Sequence, residues 1–588
     1  MKKMIACGLL LATLLPCEAT NYPTTTTGNY TNYYTEYKAG AFWVDITKMG
    51  NTTVSNGLGI YDAGGTQGAG IISESMGYAL MLAALYNDKT TFDKLSATIQ
   101  AGLSYGSSKA DGSGGYGTKT GLLPWSWATS GNSTYYAYNN SYQDGNNQWY
   151  NPYDSASDAD INIALGYIYA DKAKSVYGWS DPSSGSSYAT MAKNYIAAIR
   201  LRDFTYASNQ SDANKHILAD GADKAADGFP GYSATWHPDY SDIRAYQLFS
   251  TYDTSYASFW QSAITYTKAA WKSVLSFGSS DARTPMASAP TSGQSISPSS
   301  NNSWLTVNTF YINSFNSNYT SVNGTYFGQD YSNGGSSSQT YWTDCARMPM
   351  RLMNYVNASE NSDPDMQGMA SALLSALGKT YKDQGFDSLT SSINIYTPFT
   401  QNYGSSYVQD FMGAGLMALA SNTSLNPLQG ACVSADVYSN LTNDFGSDGT
   451  QLSTFDNQSN GFNCSLTLWG LTINKNSQNP LQRYMESYTT NATQASITNY
   501  AITKSGTIKS VKLSLNYQNT GKNKVQITLV SPSGRAIRIM NRFVNGNLNF
   551  SKKIIGGFAR QMASGIWTLK VTGVTGAHVN SNLYIQTK

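Results

Sequence analysis

Histidine is almost missing from this chain: 588 residues contain three, His216, His237 and His578, far apart in sequence. That supply supports neither a histidine-based metal site nor a Ser-His-Asp triad, so any catalytic burden falls on carboxylates. Charge is scarce too, with Asp, Glu, Lys and Arg making up 13% of the residues. Tyr, Asn, Ser, Thr and Gly take its place, and a surface kept soluble by hydroxyls and amides suits a protein that handles neutral carbohydrate. Cysteines beyond the N-terminal segment are three: Cys345, Cys432 and Cys464. An oxidising compartment permits one disulfide among them, with Cys432 and Cys464 the favoured pair. No later apolar run approaches roughly 18 residues, so no membrane-spanning helix is expected.

What is present begins with a leader. Lys2 and Lys3 precede an apolar run from Met4 to Leu15, followed by Pro16 and then Cys17-Glu18-Ala19. That layout predicts a secretory signal peptide over residues 1–19, cleaved after Ala19. Pro16 directly before Cys17 suits a lipidated cysteine poorly, which favours plain secretion to the periplasm or the medium. Residues 20–38 read as a loose lead.

From 38 to 484 apolar helices alternate with long polar loops. Helices are expected at Met76–Tyr86, Ile161–Val176, Tyr188–Arg202, Phe259–Leu275, Met348–Val356, Met366–Tyr381, Val408–Ser421 and Cys464–Ile473. Several, Met76–Leu85 among them, are apolar all round and must be buried on every side. Alternating buried and half-buried helices suit an α/α barrel. The Gly-, Ser- and Asn-rich loops 104–157 and 278–340 are long enough to wall a groove. After Tyr484 the period changes to two. Val525–Val530, Trp567–Val571 and Leu583–Gln586 read as strands of a small all-β domain, residues 488–588. Charge divides at the same place: no Asp or Glu follows Glu486, but thirteen Lys and Arg do, leaving 25 bases against 36 acids before it, a net of −11.

Three carboxylate motifs each open an apolar helix. Ser73-Glu74-Ser75-Met76-Gly77-Tyr78 is the first. Alone it reads as a helix start, with Ser73 as N-cap and Glu74 favoured by the dipole. The second, Ala156-Ser157-Asp158-Ala159-Asp160, reads alone as a capping cluster. The third, Asp344-Cys345-Ala346-Arg347-Met348-Pro349-Met350-Arg351, has the spacing of an i,i+3 ion pair, with Pro349 in a first turn. Trp125, Trp127, Trp149, Tyr150 and Tyr153 crowd the loop before the second motif. Flat aromatic faces suit sugar rings, and Trp125 or Trp127 is the expected stacking residue, with core packing the alternative for either.

Together and in this order, the motifs resemble glycoside hydrolase family 8 over residues 38–475. The family signature is met by Ala156 through Ala164, and Lys89–Lys94, Pro238-Asp239-Tyr240 and Arg244–Phe249 match further. The resemblance implies a mainly α fold, an (α/α)6 barrel, and hydrolysis of β-1,4-linked polysaccharide with inversion, without cofactor or metal. It makes Glu74 the general acid and Asp344 the general base. It makes Asp158 and Asp160 the acidic pair beside the cleaved sugar, and Arg347 and Tyr240 holders of the attacking water. Arg347 beside Asp344 favours that carboxylate's ionised form. Glu74 must instead stay protonated at a helix N-terminus, so burial or repulsion from Asp158 or Asp160 has to outweigh the dipole.

Two departures bear on substrate preference more than on reaction type: Gly166 inside the signature, where Ala or Ser is usual, and the Ser- and Pro-rich loop 281–304. Cellulose or mixed-linkage β-glucan is the leading substrate, because Asp344 is intact where chitosanases of the family differ. Chitosan and xylan are the rivals. A non-catalytic carbohydrate-binding envelope protein is the reading from another class.

Leu529-Val-Ser-Pro-Ser-Gly534, Phe558 and Gly565–Val571 resemble the P domain of proprotein convertases, which implies a jelly-roll sandwich over residues 490–588. Its lack of carboxylates argues against a calcium site. Its cations point either to a cap docked on the acidic barrel or to adhesion to an anionic cell-surface polymer. Nucleic acid is not an expected partner. The P domain also prompts a protease reading, which no Ser-His-Asp arrangement supports.

Overall fold

The computed structural model describes residues 29–62, 70–108, 121–129, 131, 133–137, 155–183, 185–204, 216–221, 235–274, 310–311, 340–342, 347–358, 361, 363–371, 373–374, 392–394, 401–402, 415, 418–419, 421, 461–474, 479–488, 496–502, 505–517, 522–532, 535–545, 547–555, 558, 561–572 and 578–587. Asp344, Cys345, Cys432, the expected leader and most of both long loops lie outside them.

Ten helices can be followed end to end among the described residues: α1 (Asn29–Ala39), α2 (Ser73–Leu85), α3 (Lys89–Ser108), α4 (Ser157–Tyr177), α5 (Tyr188–Arg202), α6 (Ile243–Tyr252), α7 (Ala257–Val274), α8 (Met348–Val356), α9 (Gly461–Asn474) and α10 (Pro480–Ser487). Helices α2, α4, α6, α8 and α9 touch in that order, and α9 returns to α2, closing a ring. Outside it, α3 packs on α2, α5 on α4 and α6, and α7 on α6. This is the inner and outer layering of an α/α barrel, as the sequence predicts.

Composition explains who sits where. In α2 the lone charge is Glu74, in the first turn, and Met76 through Leu85 are all buried. Helix α4 is buried without a break from Ser157 to Ala170. Helices apolar around their whole circumference are stable only inside. The outer helix α7 instead buries one stripe, Trp260, Ala263, Ile264, Thr267, Ala270 and Trp271.

Two glycines set how closely α2 and α4 approach. A Cβ on Gly77 would lie 2.9 Å from the Ala159 carbonyl oxygen, and one on Gly166 would lie 2.8 Å from the Leu80 side chain. Gly166, the departure inside the signature, is thus explained by Leu80 filling the space a methyl would need. Gly77 lies against Ala159 and Asn162 while Gly166 lies against Leu80, so the two helices run in the same direction. Their first turns therefore open at the same end of the ring.

Two expectations need correction. Residues 29–39 form helix α1 instead of a loose lead, with Tyr33, Tyr34 and Tyr37 buried. Tyr37 Oη lies 2.7 Å from Ser465 Oγ of α9, and Tyr34 stacks on Tyr86 with ring centroids 4.6 Å apart. The region after it is not purely helical either. Strands β1 (Trp43–Met49), β2 (Thr52–Asp62), β3 (Gly70–Ile72), β4 (Ser126–Thr129) and β5 (Thr134–Ala137) form a closed barrel, sealed by a parallel pairing of β1 with β5. Strand β3 runs straight into α2, so this barrel delivers the helix that carries Glu74.

Thr235–Trp236 (β6) pairs with Phe310–Tyr311 (β7), and Thr340–Trp342 (β8), Ser392–Asn394 (β9) and Gln401–Asn402 (β10) make a second small sheet. The C-terminal domain holds β11 (Ser496–Ile502), β12 (Ile508–Tyr517), β13 (Lys522–Val530), β14 (Ala536–Asn545), β15 (Leu548–Ile555), β16 (Gly565–Thr572) and β17 (His578–Thr587). They form two antiparallel sheets, ordered β11-β16-β13-β14 and β15-β12-β17. Val511, Leu513 and Leu515 share one core with Val525, Ile527, Leu529 and Trp567. The alternation read from the sequence is that of a two-sheet sandwich.

The two domains meet at α10. Arg483 donates a hydrogen bond to the Pro532 carbonyl, and Val176, Pro480 and Tyr484 line a cleft with Val530, Ser531 and Thr568. Buried Arg244 of α6 anchors the same helix by donating to the carbonyls of Met485 at 2.7 Å and Tyr488 at 2.6 Å. No described helix is long and apolar enough to cross a membrane.

Candidate active site

Glu74 and Asp158 stand in the first turns of the parallel helices α2 and α4. Neither helix has a side-chain cap: Ile72 and Ala156 occupy the cap positions and make no capping hydrogen bond. Ser73, read from the sequence as a cap, instead donates its hydroxyl to Glu74 Oε2 at 3.3 Å. Helix α6 starts conventionally, with Asp242 accepting from the Ala245 amide at 2.8 Å. At the starts of α2 and α4 the Ser73 amide donates to the Trp125 carbonyl at 2.8 Å and the Ser157 amide to the Asp220 carbonyl at 3.2 Å, so neighbouring backbone takes the place of a side-chain cap.

Arg347, at the threshold of α8, ties the inner ring together. Its Nη1 meets Asp158 Oδ2 at 2.5 Å, and its Nε lies 2.7 Å from Asp239 Oδ2, an ion pair by distance more than an aligned hydrogen bond. All three side chains are buried. The guanidinium sits over the Tyr240 ring at 4.7 Å from its centroid, and Tyr240 stacks in turn on His237 at 4.4 Å. One turn further along α8, fully buried Arg351 donates to Asn162 Oδ1 at 2.7 Å and to Asp242 Oδ2 at 3.2 Å, and lies over Trp469 of α9. Four inner helices thus meet around two arginines. Among the described residues Asp158 Oδ1 has no hydrogen-bond partner, although it is buried. An unsatisfied buried carboxylate oxygen is costly and marks a place where a ligand group is wanted.

Glu74 remains partly open to solvent at the ring mouth while the protein around it removes much of its hydration. Burial is the largest influence on its carboxyl and the charge of Asp158 the next. Its own backbone amide, Arg347 and Ser73 act the other way, and the balance pushes the pKa up to about 8. The opposition between helix end and proton retention therefore resolves towards the proton.

The other expected residues divide. Asp160 accepts from Tyr195 Oη of α5 at 2.7 Å, and that hydroxyl also accepts the Leu123 amide at 3.1 Å. It braces the wall of the ring, whereas Asp158 faces Glu74 and Arg347. Trp127 is a correction: it is fully buried in the core, its Nε1 donating to the Pro124 carbonyl, so neither face is open to a sugar. Trp125 is half-buried, and its carbonyl accepts the Ser73 amide at 2.8 Å, which sets it beside Glu74. Asp344 lies outside the described residues. Asp239, Asn162, Asp242 and Arg351 had no assigned role in the sequence reading. Two arginines four apart on an apolar helix signal that buried acceptors exist, without naming which residues they are. Among the described residues no group of His, Cys, Asp and Glu could hold a metal ion.

A family model for the proprotein convertase P-domain matches residues 508–584. No curated protein matches the chain. Among solved structures, a mutant of Rex8A from Paenibacillus barcinonensis complexed with xylose is similar at 12% identity, over 77% of this chain and 93% of that one, with a TM-score of 0.47. A cold-adapted family 8 xylanase is similar at 14% identity, over 76% and 90%, with a TM-score of 0.48. An endo-1,4-D-glucanase from Vibrio fischeri ES114 is similar at 15% identity, over 75% and 93%, with a TM-score of 0.45.

Proposed function

We propose that this chain is a secreted, inverting endo-glycosidase acting on β-1,4-linked polysaccharide, with cellulose or mixed-linkage β-glucan as substrate. The observation that supports it most is Glu74, a carboxyl that keeps its proton near neutral pH while partly open at the mouth of a helix ring. A glycosidic oxygen must be protonated to leave, and a raised carboxyl pKa is what general-acid catalysis at neutral pH requires. Glu74 is then the acid. Asp344, three residues before the site arginine Arg347, is the base that takes a proton from water. Water attacks the anomeric carbon on the face opposite the leaving oxygen, which calls for about 6.5–9.5 Å between the two carboxyls. Arg347 and the Tyr240 beneath it hold that water. Asp158 offers its unpartnered Oδ1 to a hydroxyl of the cleaved sugar, and Trp125 stacks a neighbouring ring.

The stereochemistry tests the mechanism directly. Proton NMR of early hydrolysis of a β-linked glucan should show the α-anomer first; a β-anomer means a covalent intermediate and sinks the inverting assignment. Reducing-sugar release from carboxymethyl cellulose, barley glucan, xylan and chitosan, run side by side, tests the substrate. Release fastest from xylan or chitosan overturns the glucan assignment, and release from none of the four overturns the enzyme.

A further inference from the structure

The outward face of the sheet β15-β12-β17 plays no part in the proposed hydrolysis. Along β12, Val511, Leu513 and Leu515 point into the sandwich, so Lys512, Ser514 and Asn516 point away from it. The register places Lys512 between Lys553 and Tyr584, and Ser514 between Ser551 and Asn582. Lys512, Lys553, Ser551 and Asn582 are exposed, as is Tyr584 at 64%. Ser514 Oγ and Ser551 Oγ lie 3.0 Å apart. The face therefore carries one row of hydroxyls and an amide beside a row of two ammonium groups and a phenol ring.

Two features of this face are unfavourable in isolation. Like charges directly opposite each other on paired strands repel, and no carboxylate follows Glu486 in the sequence to balance them. A large aromatic ring is also left in water with little packed against it. One class of partner relieves both: a polymer carrying anions and presenting flat sugar faces. We propose that this face binds an acidic, uronate-bearing polysaccharide. Its carboxylates lie on Lys512 and Lys553, a pyranose ring stacks on Tyr584, and its hydroxyls meet Ser514, Ser551 and Asn582. A neutral glycan would leave the lysine pair uncompensated.

The test uses the full chain and biolayer interferometry at about 0.15 M salt, where exposed charges more than about 8 Å apart are screened. Immobilised polygalacturonate, hydroxyethyl cellulose and double-stranded DNA serve as probes. Polygalacturonate should bind, and Lys512→Ser/Lys553→Ser and Tyr584→Ser should each weaken it about fivefold, with hydrolysis of soluble β-glucan unchanged. Arg535→Ser/Arg538→Ser, exposed and matched in charge but outside this sheet, should bind within about twofold of the parent. An equal loss in that control, equal binding to DNA or hydroxyethyl cellulose, or no binding to polygalacturonate overturns the proposal. Hydrolysis is read separately, so the failure of either proposal leaves the other standing.

Discussion

At the residue scale, Glu74 is held between opposed influences. Burial and Asp158 favour its proton, while its own helix amide, Arg347 and Ser73 favour its charge, and the proton wins up to about pH 8. The sign of the stability effect follows. The folded state keeps a proton that the unfolded chain releases near the ordinary value of 4.5, so between about 4.5 and 8 the folded state binds more protons and stability falls as pH rises. Glu74→Gln removes that penalty. Its melting temperature should exceed the parent's at about pH 8 and match it below pH 4.5, and hydrolysis should drop by roughly 10²–10⁴-fold with the circular dichroism unchanged. A variant that melts below the parent at alkaline pH would mean that the carboxyl is ionised in the fold. Glu74, Asp158 and Arg347 stood out in sequence only through the resemblance of three motifs taken together; alone, their motifs read as a helix start, a capping cluster and an i,i+3 ion pair. The supporting set did not, because Asp239, Asn162 and Asp242 find their arginines only once three helices have come together.

Elements differ in how openly they announced themselves. Helices apolar on all sides were readable, since composition and length fix both type and burial, and α5 and α8 have the expected bounds. Helix α1 was hidden by its polar composition, its apolar face being three tyrosines. The β1–β5 barrel was hidden by shortness, with β3, β4 and β5 spanning three or four residues each. Such strands carry too few alternations to be told from loop, and only their mutual pairing defines them. The element that matters most for the site is the pair α2 and α4, whose approach depends on Gly77. Gly77→Ala places a methyl 2.9 Å from the Ala159 carbonyl and should push the two first turns apart. A stability loss of about 1–3 kcal/mol in urea is expected, with a clear fall in kcat. Gly178→Ala is the comparison: it ends α4 at φ 75° with nothing within 4 Å of the added Cβ. That variant should lose stability through backbone strain while keeping kcat. Unchanged kcat in Gly77→Ala would show that the first turns tolerate separation.

For the whole molecule, the hydrogen bonds of Arg244 tie Tyr488, two residues past the last acidic residue, to the helical part of the chain. Acidic residues stop at Glu486, yet buried Arg244 depends on the Met485 and Tyr488 carbonyls. A chain ending after Tyr488 should retain hydrolysis of soluble glucan and melt within a few degrees of the parent. One ending after Glu486 strips a buried guanidinium of an acceptor, which costs about 1–3 kcal/mol or more, and should melt distinctly lower by calorimetry. Equal melting of the two truncations would show that Arg244 finds other partners. The ring also joins the two ends of its own sequence: Tyr37 meets Ser465, Tyr86 meets Thr472, and Asn479 donates to the Leu85 carbonyl. A growing chain therefore cannot close the ring until more than 470 residues have been made, however early its first helices form. Until then the wholly apolar flank of α2 has no permanent neighbour on the α9 side, and unfinished chains carry an adhesive surface. The connectivity of the ring therefore sets the moment at which that surface is covered, independent of what the finished site does.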